Sequence, residues 1–272
     1  MKNIFSAITS RFIIFIAVCF LSFCKKSGTS GTTQNNPPPP PPDTTTYQLV
    51  WSDEFDKNII DTTTWNFERG GNGWGNNEQE YYQANNASIE NDNLVITAKK
   101  ETIGSNGYTS SRMTTQGKKE FEYGRVEARI KLPVAKGLWP AFWMLGANIN
   151  TVGWPKCGET DIMEHINTDS LIYGTIHWDN NGHIQDGGKT ATSPSAYHVY
   201  SVEWTATSIK WYIDSALYYQ SNIIGNTTEE FHAPFFIILN LAVGGNWPGQ
   251  QIDDSMLPAK MYIDYVRVYQ KK

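Results

Sequence analysis

Residues 125–132 read Arg-Val-Glu-Ala-Arg-Ile-Lys-Leu, a strict alternation of charged and apolar side chains. Successive side chains of a β-strand point to opposite faces, so this segment has one apolar face and one charged face. The apolar face consists of Val126, Ala128, Ile130 and Leu132, and the charged face of Arg125, Glu127, Arg129 and Lys131. The pattern predicts a strand that packs one face against a hydrophobic core.

Similar segments recur along the chain at residues 94–98, 208–213 and 261–269, separated by clusters of Gly, Asn, Asp and Pro. No stretch keeps the 3.6-residue apolar period of a helix over three turns. Residues 47–272 contain no second linker and no repeat. We therefore expect one all-β domain without helices, a curved two-sheet antiparallel β-sandwich with an open groove. Such a groove suits an extended polymer better than a small molecule.

The first 46 residues differ in composition from the rest. Residues 1–23 carry two basic residues and an apolar run but no acidic residue, which is typical of a secretory signal. Cys24 follows as in a bacterial lipoprotein acylation site, with Leu21 at the expected position, although Phe23 is larger than the usual residue there. Residues 24–46, rich in Ser, Gly, Thr and Pro, predict a stiff linker. We expect an exported lipoprotein anchored to a membrane of the cell envelope.

The composition favours a carbohydrate partner. The chain contains 10 Trp, 14 Tyr and 12 Phe, and flat aromatic rings match the apolar faces of pyranose sugars as well as filling a core. Its net charge of −5 disfavours a nucleic acid. Cys157 is the one cysteine beyond residue 24, which excludes an internal disulfide in the mature protein. We expect a monomer.

An acidic segment, residues 158–165, reads Gly-Glu-Thr-Asp-Ile-Met-Glu-His. In a regular strand Glu159 and Asp161 share a face, whereas Glu164 lies an odd number of residues away and points to the other face. A β-bulge at residues 162–163 accommodates one extra residue and returns Glu164 to the first face, and bulges are common beside active sites. The pattern predicts three carboxylates in one row.

This row has the residues that a retaining glycosidase needs. Three neighbouring carboxyl groups cannot all ionise near neutral pH, so at least one pKa is expected to rise. We assign Glu159 as nucleophile and Glu164 as acid/base, with Asp161 hydrogen-bonded to one or both glutamates. The alternatives are an acidic strand that is merely solvated, or one that binds a cation through its oxygen atoms.

At these residues the chain resembles glycoside hydrolase family 16, and within it the bacterial laminarinase-like endo-β-1,3-glucanases. The resemblance covers nearly all of residues 47–272. It includes Val50-Trp-Ser-Asp-Glu-Phe55, Trp74-Gly-Asn-Asn-Glu78, Tyr123-Gly-Arg-Val-Glu-Ala-Arg129, Gly137-Leu-Trp-Pro-Ala-Phe-Trp-Met144, Glu159 to His165, Gly174-Thr-Ile-His177, Asn240-Leu-Ala-Val-Gly-Gly-Asn-Trp-Pro248 and Asp264-Tyr-Val-Arg-Val-Tyr269.

The resemblance implies a curved, concanavalin-like jelly roll and the same roles for Glu159, Asp161 and Glu164. The extra Met163 is similar to the bulged, laminarinase-like branch, whereas the lichenase branch lacks it. Thr160 departs from the Ile, Leu or Val usual in the family, but by alternation it points into the sandwich. The chain is thus expected to be an endo-acting retaining β-1,3-glucanase that needs no cofactor for catalysis.

The resemblance also implies ligand-binding residues. Those similar to sugar-binding positions of the family are Asn77, Arg112, Trp139, Trp143, His177 and Trp247. For Trp139 and Trp143 the alternative is core packing. A structural Ca²⁺ is implied, with Glu54 and Asp264 as carboxylate ligands, and the alternative is that both cap strand ends. His165 and His177 could also suggest a transition-metal pair.

Two other functions remain open from the sequence. A non-catalytic β-glucan-binding sandwich would keep the aromatic residues but would not need the carboxylate row. Relatives within the resembled family also act on mixed-linkage glucan or on galactan, and the loops at residues 68–80 and 147–157 are expected to determine the linkage preference.

Overall fold

The computed structural model describes residues 47–272, which form two eight-stranded antiparallel sheets. The site sheet contains, in spatial order and numbered along the chain, β13 (His183–Ala191), β12 (Leu171–Asp179), β11 (Glu159–Glu164), β10 (Leu138–Gly146), β17 (Phe235–Val243), β7 (Arg112–Thr114) and β2 (Asn66–Phe67), and β8 (Glu120–Phe121) pairs with β17. The all-β expectation is confirmed.

The backing sheet is the second of the two. Its strands are, in spatial order, β16 (Ala216–Asn222), β15 (Ser208–Ile213), β14 (His198–Trp204), β9 (Gly124–Lys131), β18 (Ala259–Lys271), β5 (Leu94–Ala98) and β4 (Ala87–Ile89), and β1 (Tyr47–Asp53) pairs with β18. A short parallel pair joins β3 (Glu80–Tyr82) to β6 (Tyr108–Ser110).

Helical structure in the described residues is limited to short turns. They are α1 (Ile149–Val152) and the 3₁₀ turns Ala84–Asn86, Glu229–His232 and Asp254–Met256. These single turns are the one departure from the expectation of a domain without helices within residues 47–272. They are too short to produce a helical period in the sequence. None of the helices within residues 47–272 is long and apolar enough to cross a membrane.

The core lies between the two sheets and follows the alternation of their strands. On β9 the side chains of Val126, Ala128 and Ile130 are fully buried, and they belong to the same apolar cluster as Phe142 of the site sheet. The segments 94–98 and 208–213 form β5 and β15 with the bounds that the sequence predicts. Cys157 is buried as a free thiol.

The charged face of β9 is also shielded from solvent. Arg125 and Glu127 form an ion pair of 2.8 Å, and Arg129 contacts Asp264 at 2.7 Å. The ring of Tyr197 lies beneath the Arg129 guanidinium, 4.4 Å from it. Because a buried charge needs a partner, these contacts allow the outward residues of β9 to lie under neighbouring side chains.

The predicted signal segment, the linker and the lipidation site Cys24 lie outside the described residues.

Candidate active site

The predicted bulge is present in β11. Met163 pairs with Phe142 of β10 and Asp161 pairs with Trp143, so Ile162 has no partner on that side. On the other side the register with β12 also shifts between Asp161 and Glu164. Ile162 and Met163 are both buried in the main core. Two consecutive residues therefore point inward, as the sequence predicts for the extra residue.

The bulge brings the three carboxylates to one face. Glu164, Asp161 and Glu159 lie opposite Ala141, Trp143 and Leu145 of β10, respectively. Those three β10 residues are two apart from each other and share a face, so their partners share it as well. This face is the one that points away from the sandwich core.

A tryptophan from the backing sheet holds the bulge from below. Trp211 of β15 is fully buried, and its indole Nε1 donates a hydrogen bond of 2.8 Å to the backbone oxygen of Asp161. Gly174 of β12 makes room for this ring, because a Cβ at that position would lie 2.3 Å from Trp211 Cδ1. The two sheets are thus linked at the residue where β11 becomes irregular.

Each carboxylate of the row has a polar partner. Trp154 Nε1 donates to Glu159 Oε2 at 3.0 Å, and Trp139 Nε1 donates to Glu164 Oε1 at 2.9 Å. Asp161 Oδ2 lies 3.1 Å from His177 Nε2. The expected hydrogen bond from Asp161 to a glutamate is therefore replaced by one to His177, which enters from the neighbouring strand β12.

Burial of the carboxylate row favours the protonated form of its members. Burial, followed by the Asp161 charge, raises the pKa of Glu159 to about 8, whereas His177, Trp154 and Arg112 act to lower it. Burial and the Asp161 charge also raise the pKa of Glu164 well above its usual value. The Glu159 side chain keeps 17% exposure and the Asp161 side chain 4%. The row can therefore hold a proton near neutral pH while Glu159 stays accessible.

Aromatic rings line the face beside Glu164. Trp247 is 40% exposed, and its ring packs edge-on against Trp139 at 5.6 Å and against Tyr173 at 4.8 Å. Trp139 is half-buried and donates to Glu164. An exposed indole next to a carboxylate can stack on a sugar ring.

The second predicted tryptophan, Trp143, has a more structural environment. Its indole Nε1 donates to Asn240 Oδ1 at 2.8 Å, and its ring packs against a small apolar cluster that includes Cys157. The Arg112 guanidinium lies 4.8 Å from this ring and 5.1 Å from the Trp74 ring. Arg112 also forms an ion pair with Glu68. Trp143 and Arg112 therefore support each other.

Asn77 lies in a different part of the surface network. Its Nδ2 donates to Asn246 Oδ1 at 2.8 Å, immediately before Trp247. This contact connects the loop at residues 68–80 to the loop that carries Trp247. Of the predicted sugar-binding residues, the structure thus places Trp139 and His177 directly on the carboxylates, and Trp247 on the Trp139 ring.

Several contributors were missed by the sequence interpretation. Trp154 was not singled out, although it lies in the loop 147–157 that was expected to affect linkage preference. His183 lies on β13 with its Nε2 2.8 Å from His177 Nδ1. Glu80 is fully buried, and its Oε2 accepts a hydrogen bond from the backbone nitrogen of Val243, the last residue of β17. The only sequence signal for Glu80 is its acidic neighbour Glu78 in an aromatic segment.

The implied calcium ligands are engaged by arginines. Both oxygens of Glu54 accept from Arg267, at 3.0 and 2.8 Å, and Asp264 accepts from Arg129 at 2.7 Å. As placed, these carboxylates fit ion pairs rather than a calcium site. The ring of His165 is buried, and its Nε2 lies within hydrogen-bond distance of the backbone oxygen of Asp169. His165 is therefore engaged with the backbone and does not form a metal-binding pair with His177.

Comparison with known proteins agrees with this geometry. The model of the family "Glycosyl hydrolases family 16" matches residues 74–267. The chain is 41% identical over 244 residues to the beta-glucanase of Rhodothermus marinus, covering 82% of this chain and 85% of that protein. It is 47% identical over 231 residues to the clotting factor G alpha subunit of Tachypleus tridentatus, covering 82% of this chain and 34% of that longer protein.

A solved structure shows the same similarity in three dimensions. The laminarinase catalytic domain of Thermotoga maritima MSB8 superimposes with a TM-score of 0.77 at 44% sequence identity, covering 84% of this chain and 99% of that one. The family model, which matches residues 74–267, spans the strand that carries the carboxylates.

Proposed function

The chain belongs to glycosyl hydrolases family 16, and from this premise we propose that it cleaves internal β-1,3 linkages of a β-glucan with retention of configuration. The proposal is carried by one observation: Glu159, Asp161 and Glu164 share the outward face of β11, and each has a polar partner. A non-catalytic glucan-binding protein would not need three carboxylates in one row.

The chemistry follows the double displacement of retaining glycosidases. Glu159 Oε1 attacks the anomeric carbon, while Trp154 holds the other oxygen, Oε2. Glu164 donates its proton to the departing glycosidic oxygen, and the Trp139 indole orients it. In the second step Glu164 removes a proton from water, and the water oxygen attacks the anomeric carbon from the side that the leaving group vacated, which breaks the bond to Glu159 and releases it as a carboxylate.

Asp161 and His177 act as a positioning pair in this scheme. Burial, and after it the negative charge of Asp161, raises the pKa values of both glutamates. When Glu159 loses its charge on forming the covalent intermediate, the repulsion from that side falls, which lowers the pKa of Glu164 and favours its action as a base.

The substrate class rests on the aromatic surface and on the relatives. Trp247 and Trp139 form a ring pair next to Glu164, which suits the apolar face of a glucose unit. The solved relative is described as a laminarinase and the Rhodothermus marinus relative as a beta-glucanase. We therefore propose laminarin as the preferred substrate, followed by mixed-linkage glucan and then by galactan.

The decisive experiment compares Glu159→Gln with wild type on a panel of laminarin, mixed-linkage glucan and agarose. We expect endo-type oligosaccharide release from laminarin by the wild type and loss of turnover on all substrates in the variant. Proton NMR during the first minutes should show β-anomers, because retention preserves the configuration. Glu229→Gln, at an exposed glutamate, is the matched control. Turnover by Glu159→Gln at the wild-type rate would exclude the assignment.

We further propose that the enzyme is exported and lipid-anchored at Cys24. The support is the sequence pattern alone. Expression of the full chain with labelled palmitate in a bacterial host, against Cys24→Ala, tests it through incorporation of label into the membrane fraction. Label in Cys24→Ala equal to wild type would refute lipidation at that residue.

A further inference from the structure

Three potential metal ligands meet at the active site. Glu159 Oε1, Asp161 Oδ2 and His177 Nε2 all lie within 4.8 Å of one another. The histidine nitrogen is 3.8 Å from Glu159 Oε1 and 3.1 Å from Asp161 Oδ2. Ligands of tetrahedral zinc, each about 2.0–2.2 Å from the metal, lie roughly 3.4 Å apart. The two distances from His177 Nε2 are close to this separation.

The surroundings of these atoms match those of a metal site. His183 Nε2 lies 2.8 Å from His177 Nδ1, and the two rings stack at 5.1 Å. When His177 Nε2 binds a metal, the ring hydrogen lies on Nδ1, and His183 Nε2 is placed to accept a hydrogen bond from it. Trp154 fixes the second oxygen of Glu159 and also packs 4.7 Å from the His183 ring. Three protein ligands leave the fourth position of a tetrahedral ion for water.

Electrostatics supply the driving force. Glu159 and Asp161 bring two carboxylate oxygens within 4.8 Å of each other on one face of β11, and Glu164 lies on the same face. A dication neutralises this repulsion, whereas no cationic side chain contacts these carboxylate oxygens within ion-pair distance in the described residues apart from His177. A nitrogen ligand beside two carboxylates selects zinc-like ions over magnesium.

We propose that Glu159, Asp161 and His177 bind a divalent transition-metal cation of the Zn²⁺ type, and that this ion inhibits the enzyme by occupying the nucleophile. The ion and the sugar at the cleavage point compete for Glu159 Oε1. Binding itself goes beyond the proposed glucanase function and does not depend on it, whereas the competition with glucan does.

Binding is tested first, without any substrate. Isothermal titration of the metal-free full chain with ZnCl₂ is expected to show saturable binding that disappears in His177→Ala. His183→Ala is expected to weaken it roughly 10–100-fold through loss of the outer partner. His198→Ala, which breaks a histidine–aspartate contact to Asp214 on the backing sheet, is the matched control and keeps binding. MgCl₂ should give no heat at the same concentrations.

The absence of zinc binding up to millimolar concentration, or binding that survives His177→Ala, would overturn the site. Melting temperatures of all variants without metal verify that each is folded. Kinetics on laminarin then test inhibition: Zn²⁺ is expected to raise KM with kcat unchanged, and EDTA to reverse the effect. A fall in kcat at constant KM would refute competition at Glu159, while the titration would still report whether the ion binds.

Discussion

Trp211→Phe removes the indole hydrogen bond to the bulge while keeping an aromatic ring in the core. The lost bond, 2.8 Å from Trp211 Nε1 to the Asp161 backbone oxygen, is buried. Depriving a buried carbonyl of a donor costs about 1–3 kcal/mol. For a domain of this size each kcal/mol corresponds to about 2–4 °C, so we expect the melting temperature to fall by roughly 2–12 °C.

The same change is expected to reduce catalysis. The bond ends on the residue where β11 becomes irregular, so its loss lets Asp161 and Glu164 shift relative to Glu159. Displacement of a catalytic group by an ångström can cost about a hundredfold in rate. We expect kcat on laminarin to fall roughly 10–100-fold. KM is expected to stay near the wild-type value, because the exposed Trp247 ring is not disturbed.

Trp204→Phe is a matched control. Trp204 is also buried, and its Nε1 donates to a backbone oxygen, that of Phe231, at 3.0 Å. The control is expected to lose similar stability but to keep kcat. Initial rates are compared at a temperature at which circular dichroism shows both variants folded. Equal kcat values in Trp211→Phe and Trp204→Phe would refute the idea that Trp211 positions the carboxylate row.

Three further predictions concern charge. His177 lowers the pKa of Glu159, so His177→Ala is expected to move the acidic limb of kcat/KM on laminarin to higher pH; an unmoved limb would contradict this coupling. Burial and the neighbouring acidic residue raise the pKa of Glu80, so the folded state binds more protons than the unfolded state, and its contribution to stability is lost as pH rises above the unfolded value. Glu80→Gln is therefore expected to match wild type in acid and to melt at a higher temperature than wild type in alkali, and parallel melting curves across pH would count against it. Because Glu54 and Asp264 are held by arginines, EDTA is expected to leave the melting temperature unchanged, and a drop reversed by Ca²⁺ would restore the calcium prediction.

Much of the fold could be predicted because it depends on local alternation. The strands at 125–132 and 208–213 have apolar side chains at every second residue, and the structure contains both strands. The bulge in β11 could also be predicted, since an odd spacing between carboxylates has few other solutions.

The partners of the carboxylates could not be predicted in the same way. Trp211 reaches the bulge from the opposite sheet, and Trp154 reaches Glu159 from a loop, so neither contact leaves a periodic signal. His183 is a diagonal neighbour of His177 because the register of β12 and β13 pairs His183 with Asp179 and His177 with Gln185. A single sequence does not specify this register. Glu80 is fully buried, whereas hydrophobic patterning assigns buried positions to apolar residues.

The irregularity in β11 has an evolutionary consequence. Both of its middle residues, Ile162 and Met163, face inward, so deleting the codon for Met163 would leave an uninterrupted two-residue repeat in which the same three acids still face outward. Strand β11 can therefore present Glu159, Asp161 and Glu164 on one face either with Met163 or without it. One in-frame deletion or insertion of a codon would convert one form of the strand into the other. No intermediate form with Glu164 pointing into the core would be needed.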